Sequence, residues 1–206
     1  MSRRQRRELR EEMRRILMSL DKRWIAAASS ELAARLKKLV GESNQSLEHV
    51  LVFAPYFTGE VDLSSFINWA LERYSVYLPC VSEKGVLSFF SISKNWKSEL
   101  VQGLSGVPEP ALSGNAYDVR EAHQTACIVP GLAFDKDGNR LSQDKGLYDI
   151  FLRKGAMPES LKLGVCWSLQ LVPEVHADSH HIMMDYVCHE RGIVTTARDF
   201  DEDFEE

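Results

Sequence analysis

Apolar side chains recur at helical spacing near the start of the chain. Between residues 4 and 19 they repeat every three or four positions, which predicts an amphipathic helix. A polar break follows, and Asp21 is a candidate N-cap for a second helix over residues 22–40. The Gly-Glu-Ser-Asn sequence at 41–44 is expected to end that helix. Two consecutive helices therefore open the chain.

Short apolar runs further along predict strands that alternate with helices. The predicted strands are 49–54, 75–78, 86–92, 126–129, 163–166, 182–184 and 193–195, and the later helices are 64–74 and 147–154. Pro79 is expected to stop the second strand, because proline cannot donate to a strand ladder. This alternation predicts an α/β fold with three layers, α/β/α, around a mostly parallel sheet. We expect a single domain over residues 1–206.

Composition favours an ordinary soluble protein. Of the 206 residues, 44% are hydrophobic and 27% are charged. No apolar run approaches the roughly 20 residues that span a bilayer, and the Arg-rich start lacks the apolar core of a secretory signal. Four widely spaced cysteines, Cys80, Cys127, Cys166 and Cys188, predict buried free thiols rather than disulfides. We therefore expect a cytoplasmic protein without a membrane partner.

Charge is distributed unevenly along the chain. Residues 1–40 contain 12 Lys/Arg and 5 Asp/Glu, a net charge of +7, whereas the whole chain carries −5. A nucleic-acid interface is disfavoured, because no aromatic residues interleave with the arginines and acidic residues interrupt them. A solvated helix face beside an anion site is the better interpretation of residues 1–40. The acidic stretch 199–206 is expected to be a frayed end.

The segment Val129–Leu152 carries the strongest functional signal. A short strand ends at Pro130-Gly131, and a compact turn follows at 135–139. The basic, glycine-containing loop 140–146 then leads into an apolar helix. A strand, loop and helix start in this order bind phosphate, because backbone N–H groups and the positive end of the helix point at the anion. The sequence therefore predicts a phosphate site in this loop.

The same segment resembles the signature of the 5-formyltetrahydrofolate cyclo-ligase family, which runs roughly V-P-G-x-x-F-D-x-x-G-x-R-L-G-x-G-x-G-Y-Y-D. Ser142 and Asp144 stand where the family has two of its loop glycines, and Leu147 replaces the first tyrosine. Further matches, in the family's order, lie at 6–10, 60–62, 77–79, 106–110 and 164–170. The resemblance covers almost the whole chain and implies the cyclo-ligase-like three-layer α/β fold.

The resemblance also implies a reaction and its residues. The family uses ATP and Mg²⁺ to convert 5-formyltetrahydrofolate into 5,10-methenyltetrahydrofolate, by phosphorylation of the formyl oxygen and ring closure by N10. The positions that match the family's ATP site are Arg6, Arg10, Arg140, Ser142, Gln143, Asp144, Lys145, Gly146 and Tyr148. Those matching its folate site are Pro55, Tyr56, Glu60 and Leu147, with Arg140, Lys145 and Tyr148 in catalytic roles. Asp149 matches the metal-binding aspartate, and His181 stands at the position of a second one. The expected partners are a reduced folate and ATP, and the expected state is a monomer.

The loop departures leave the activity open. If Ser142 and Asp144 adopt a positive φ, each replacement of glycine costs about 1–2 kcal/mol. A carboxylate of Asp144 about 4 Å from a phosphate oxygen repels it by roughly 4 kcal/mol at an effective dielectric of 20, or about a thousandfold in affinity. Alternatively Asp144 turns away or binds Mg²⁺. The chain is thus a working cyclo-ligase, a catalytically weak or inactive relative that binds folate or nucleotide, or an ATP-using enzyme with another substrate.

The histidine and aspartate residues between 176 and 189 raise a second question. A neutral imidazole at His181 is a poor ligand for Mg²⁺, and Asp178 or Asp185 could compensate. Together with His176, His180 and His189 these side chains could instead hold Zn²⁺. The alternative is a solvated polar loop that leads into the strand expected at 182–184.

Overall fold

A computed structural model describes residues 3–55, 57–103, 106–111, 114–143, 146–175 and 182–196. The helices are α1 (Arg3–Met18), α2 (Lys22–Gly41), α3 (Ser64–Ala70), α4 (Trp96–Glu99) and α5 (Leu147–Leu152). The strands are β1 (His49–Leu51), β2 (Ser75–Val81), β3 (Leu87–Ser91), β4 (Leu100–Gln102), β5 (Pro108–Pro110), β6 (Thr125–Pro130), β7 (Ala133–Phe134), β8 (Arg140–Leu141), β9 (Leu161–Val165), β10 (Tyr186–His189) and β11 (Gly192–Thr195). Short 3₁₀ helices span Val119–Gln124, Met157–Glu159 and Ser168–Gln170.

Seven of these strands form one central, mostly parallel sheet. Its order is β11-β10-β9-β6-β1-β2-β3. The five inner strands run parallel, whereas β3 and β11 pair antiparallel at the two edges. The predicted α/β class and mostly parallel sheet are therefore confirmed. Because β1 lies between β2 and β6, the carboxyl ends of these three strands come together at one edge of the sheet.

Alternating side chains of the strands enter two apolar layers. Val50 and Ile128 pack with the buried residues of α1, α2 and α3 on one face of the sheet. Leu51 and Val129, each one position further along, pack on the other face with α5 and the 3₁₀ segments. Each face of the sheet thus buries one half of the strand residues, as a three-layer fold requires.

The first two helices follow the sequence prediction closely. Asp21 caps α2, because its Oδ1 accepts the N–H groups of Arg23 at 2.9 Å and Trp24 at 3.0 Å.

At Gly59, where φ is +103°, a Cβ would lie 2.2 Å from the carbonyl oxygen of Leu17. Only glycine lets the loop after β1 approach α1 this closely. The helix α1 is thereby held against the carboxyl end of the sheet.

The strand boundaries correct the sequence predictions at three places. The strand predicted at 182–184 is wrong: those residues form no strand, and β10 begins at Tyr186. The first strand ends at Leu51 rather than at residue 54. Pro79 does not stop β2, which continues to Val81. The carbonyl of Tyr77 accepts from the N–H of Val52, so the backbone of Tyr77 faces β1. Pro79, two residues later, faces the same side, but β1 has already ended there. The N–H group that proline lacks would therefore have had no strand partner.

Other features of the described chain agree with expectation or add to it. Cys127, Cys166 and Cys188 are buried free thiols, and Cys80 is a partly buried one. The strands β4 and β5 form a small antiparallel hairpin within a stretch that carried no strand prediction. None of the helices in the described ranges has the length and apolar character needed to cross a membrane. The acidic stretch 199–206 lies outside these ranges.

Candidate active site

A cleft of about 340 Å³ lies where the carboxyl ends of β1, β2 and β6 converge. In α/β proteins this edge of a parallel sheet is where ligands bind. The cleft is lined by Arg14, Phe53, Ala54, Glu60, Pro79, Val81, Val107, Glu109, Pro130, Gly131, Arg140, Gln143, Leu147 and Tyr148. Five of the residues proposed from the sequence therefore come together in one place: Glu60, Arg140, Gln143, Leu147 and Tyr148.

A buried ion pair joins β8 to α5 on either side of the loop predicted to bind phosphate, residues 140–146. Arg140 is only 2% exposed, and its Nη2 lies 2.6 Å from Oδ2 of Asp149 in α5. Its Nη1 donates to the carbonyl of Pro130 at 3.0 Å, and its guanidinium lies over the ring of Tyr148, 5.8 Å from the centroid. These contacts fix the cation at the end of β6. Gly131 leaves room for it, because a Cβ there would lie 3.0 Å from Cγ of Arg140.

Two arginines of α1 hold the main chain of the loop. Arg10 Nε donates to the carbonyl of Ser142 at 2.9 Å, and Arg14 Nη2 donates to the carbonyl of Gln143 at 2.7 Å. Their i, i+4 spacing puts both side chains on one face of the helix, and Arg6 is one turn earlier on the same face. Arg14 also lines the cleft, whereas Arg6 and Arg10 do not. The sequence interpretation stopped at Arg10 and missed Arg14, although the same spacing continues to it.

The backbone at Ser142 is not strained, although a serine in place of a family glycine would be strained at a positive φ. Within the described ranges every residue with a positive φ is a glycine, so Ser142 occupies an ordinary conformation. The positive φ falls instead on Gly146, at +79°, which begins α5. The conditional cost of about 1–2 kcal/mol therefore does not arise at Ser142.

Replacing Ser142 with glycine is expected to lower the free energy of unfolding slightly, by about 0.5–1 kcal/mol. The reason is that glycine gains conformational freedom in the unfolded chain and relieves no strain in the folded one. Gly146→Ser is the matched variant, expected to cost about 1–2 kcal/mol because its φ is positive. Urea denaturation of both variants measures the difference. A clear gain in stability for Ser142→Gly would contradict the assigned backbone conformation.

Four proposed site residues lie outside the described residues: Tyr56, Asp144, Lys145 and His181. Their predicted roles stay predictions. Pro55 lies beside Ala54 after β1, is partly buried, and does not line the cleft. Glu60 lines the cleft on the side near α1, and its Oε2 accepts the N–H of Phe57 at 3.4 Å.

The site also contains a carboxylate that the sequence interpretation did not assign. Glu109, in β5, lines the cleft although it is only 6% exposed. Its Oε1 accepts the N–H of Val81 at 3.1 Å, and its Oε2 lies 3.2 Å from Sγ of Cys80. The signal that pointed to it was the Gly-Val-Pro-Glu-Pro motif at 106–110, in which prolines flank the glutamate.

The described residues contain no group of three or more His, Cys, Asp and Glu side chains that could hold a metal ion. Asp185 does not compensate for His181: it accepts from the backbone of Lys162 and pairs with its Nζ at 3.1 Å, at the amino end of β9. His189 lies at the far end of β10 and accepts from Arg191 in its own turn. Asp185 and His189 thus lie at opposite ends of a strand and cannot share one zinc ion. His176, Asp178 and His180 lie outside the described residues.

A parallel sheet with a cleft at its carboxyl edge and an arginine-bound loop before a helix is the architecture of an α/β enzyme. The chain belongs to the 5-formyltetrahydrofolate cyclo-ligase family, whose model matches residues 2–190. The resemblance noted from the sequence is therefore confirmed.

Individual relatives agree with this membership. The 5-formyltetrahydrofolate cyclo-ligase of Saccharomyces cerevisiae is 25% identical over 202 residues, which cover 87% of this chain and 92% of that protein. The mouse enzyme of the same name is 34% identical over a shorter stretch of 91 residues, 43% of this chain and 41% of the relative. The structure of 5,10-methenyltetrahydrofolate synthetase from Aquifex aeolicus superposes with a TM-score of 0.79 at 25% identity, over 98% of this chain and 96% of the other.

Proposed function

We propose that this protein converts 5-formyltetrahydrofolate into 5,10-methenyltetrahydrofolate at the expense of ATP. One observation carries the proposal: a single cleft is lined both by Arg14 and Arg140 and by the apolar side chains of Pro79, Val81 and Val107. Such a lining suits a flat heterocycle with an oxygen to be phosphorylated. The names of the yeast, mouse and Aquifex relatives supply the substrate.

The chemistry needs positioned cations more than a strong base. Transfer of the γ-phosphoryl group to the formyl oxygen turns a poor leaving group into phosphate. N10 then attacks the formyl carbon and loses its proton to water, the C–O bond breaks, and phosphate leaves with the former formyl oxygen. Arg140, and by sequence Lys145, would stabilise the negative charge that spreads over the transferred group. Tyr148, under the Arg140 guanidinium, would pack at the edge of the substrate.

Asp149 is the described residue that would hold the metal ion of a bound nucleotide. A Cβ at Gly146 would lie 3.2 Å from Oδ2 of Asp149, so the carboxylate lies directly beneath the helix start where phosphates would bind. Mg²⁺ commonly takes one or two carboxylates and completes its shell with phosphate oxygens and water, and Asp149 would supply the carboxylate. When bound, the ion neutralises phosphate charge. Asp149 would then serve two cations, Mg²⁺ and Arg140.

A spectroscopic assay tests the proposal directly. Purified protein is mixed with 5-formyltetrahydrofolate, ATP and Mg²⁺, and formation of methenyltetrahydrofolate is followed by its near-ultraviolet absorbance. We expect a rise that requires the protein and all three reagents. No rise with folded protein would favour the alternative, a catalytically weak relative, for which the departures at Ser142, Asp144 and Leu147 speak. Measuring the binding of folate and of nucleotide to the same sample then shows which of these ligands the catalytically weak protein still binds.

Replacing Asp144 with glycine is expected to tighten ATP binding at least tenfold. Since Ser142 adopts no strained conformation, charge is the main difference between this loop and the family's pattern. Even at about 8 Å a carboxylate repels a unit phosphate charge by roughly 2 kcal/mol at an effective dielectric of 20. Titration calorimetry with ATP measures the effect, and Asp137→Asn, which removes an exposed carboxylate outside the proposed ATP site, is the control expected to leave ATP affinity unchanged. Equal affinities for all three proteins would show that Asp144 points away from the nucleotide or is neutralised by the metal.

A further inference from the structure

Glu109 reaches the cleft because a hairpin delivers it to the end of β2. The strands β4 and β5 pair over Leu100–Gln102 and Pro108–Pro110, and Glu109 is the central residue of β5. A Cβ at Gly103 would lie 2.3 Å from Cδ of Glu109, so the hairpin passes close to this side chain. The carboxylate is held in the wall of the cleft by its contacts with Val81 and Cys80.

The protein contacts of Glu109 satisfy only part of its capacity. A carboxylate accepts about four hydrogen bonds. Two acceptor sites are used, one by the Val81 N–H and one by the Cys80 thiol. Burial, and then the adjacent carboxylate, raise the pKa of the Cys80 thiol to about 11, so Sγ keeps its proton and donates it. Among the described residues no cation lies within ion-pair distance of Glu109. Glu109 also lines the cleft, where Val81 and Val107 are apolar neighbours among the described residues.

Buried carboxylates without a cation are costly unless donors reach them. Of the described residues that line the cleft, Pro79, Val81 and Val107 are near Glu109, and their side chains have no hydrogen-bond donor. A ligand with N–H groups on a flat ring would supply donors to this carboxylate. Glu60, the other carboxylate of the cleft, lies towards α1 and accepts from Phe57 in its own turn.

We propose that Glu109 binds the pyrimidine edge of the reduced folate, accepting from the adjacent N3–H and 2-amino groups. This inference rests on the proposed function. A carboxylate matches two neighbouring N–H donors with two parallel hydrogen bonds, which gives both affinity and orientation. The formyl group on N5 is at the far end of the bicyclic ring from the 2-amino group. Anchoring the 2-amino edge at Glu109 therefore directs the formyl oxygen towards Arg14 and Arg140. Glu109 is thus a specificity-determining residue of the site.

The first test needs no variant of the protein. Binding of 5-formyltetrahydrofolate and of its analogue lacking the 2-amino group is measured by calorimetry without ATP. The wild-type protein should bind the analogue about 10- to 100-fold more weakly, the range of one or two charge-assisted hydrogen bonds. Equal binding of the two ligands would overturn the assignment. Absence of binding to either reduced folate would overturn the proposed function together with it.

The second test asks whether Glu109 is the residue that distinguishes 5-formyltetrahydrofolate from its desamino analogue. In Glu109→Gln the carboxylate becomes an amide whose NH₂ opposes a ligand donor. The variant should bind 5-formyltetrahydrofolate about 10- to 100-fold more weakly and keep the wild-type affinity for ATP. It should lose much less affinity for the desamino analogue, because the glutamine oxygen still accepts from N3–H and no 2-amino group opposes its NH₂. Glu83→Gln, on the exposed β2–β3 turn, is the matched control and should change nothing. A Glu109→Gln protein that still distinguishes the two ligands as the wild type does contradicts the proposal, while its melting temperature reports on folding separately.

Discussion

Replacing Arg140 with methionine is expected to lower the free energy of unfolding by about 3–5 kcal/mol. Methionine fills much of the same volume but leaves the Asp149 carboxylate buried without its guanidinium partner. The two side chains are 2% and 10% exposed, so water cannot replace the lost contact. Urea denaturation of the wild type and the variant measures the change. Lys136→Met is the matched control: it removes the cation of an exposed pair with Asp137, at 3.9 Å, and should change stability by less than about 1 kcal/mol.

A double variant separates the ion pair from general packing at the same position. Arg140→Met combined with Asp149→Leu removes both charges and should recover part of the lost stability, because no uncompensated charge stays buried. Enzymatic turnover should be absent in both variants if Arg140 and Asp149 act on the nucleotide. If Arg140→Met is as stable as the Lys136→Met control, Arg140 does not hold Asp149 in solution.

Removing Arg10 and Arg14 together is expected to weaken ATP binding at least about a hundredfold. Each guanidinium makes a charge-assisted hydrogen bond to the loop main chain, at 2.9 and 2.7 Å, and each is worth roughly 1.5–3 kcal/mol. Without them the loop loses its fixed position, and the site loses two positive charges. Titration with ATP at two salt concentrations measures the loss and its electrostatic share.

Arg15→Ala provides the control for this experiment. Arg15 is exposed on the same helix, next to Arg14 in sequence but on a different face. Its removal lowers the net charge of α1 by one without touching the loop. ATP affinity of this variant should stay close to that of the wild type. If Arg15→Ala weakens binding as much as Arg14→Ala does, the helix acts through its overall charge and not through the bonds to residues 142 and 143.

The sequence predicted those parts of the fold that local patterns determine. Helical periodicity and the Asp21 cap define α1 and α2, and apolar runs define the inner strands of the sheet. The strand at 182–184 was predicted wrongly because an apolar run alone does not say which residues have a strand partner. The register beside β9 selects Tyr186–His189 instead. Pro79 stays within β2 because β1 ends early, and that is a property of the neighbouring strand.

The candidate site also contains some residues that the sequence identified and others that only the structure revealed. The family signature identified Arg140, Tyr148 and Asp149, which the structure brings together. Arg14 and Glu109 depend on contacts between distant segments, because their roles come from the α1 packing and from a hairpin that touches the end of β2. The local sequence contains only weak signals for them, the proline-flanked motif at 106–110 and the i, i+4 spacing in α1, because single residues of these types are abundant on protein surfaces.

The hydrogen bonds from α1 to the loop also affect the order in which parts of the protein fold. Arg10 and Ser142 are separated by 132 positions, and Arg14 and Gln143 by 129. During synthesis the first helix leaves the ribosome long before its partner loop exists. Closing so long a stretch of chain is entropically expensive, and such contacts form late in folding. The end of the cleft beside α1 is accordingly among the last regions to be completed. A nascent or truncated chain that lacks residues 142 and 143 cannot form the proposed nucleotide site, whatever secondary structure it has already formed.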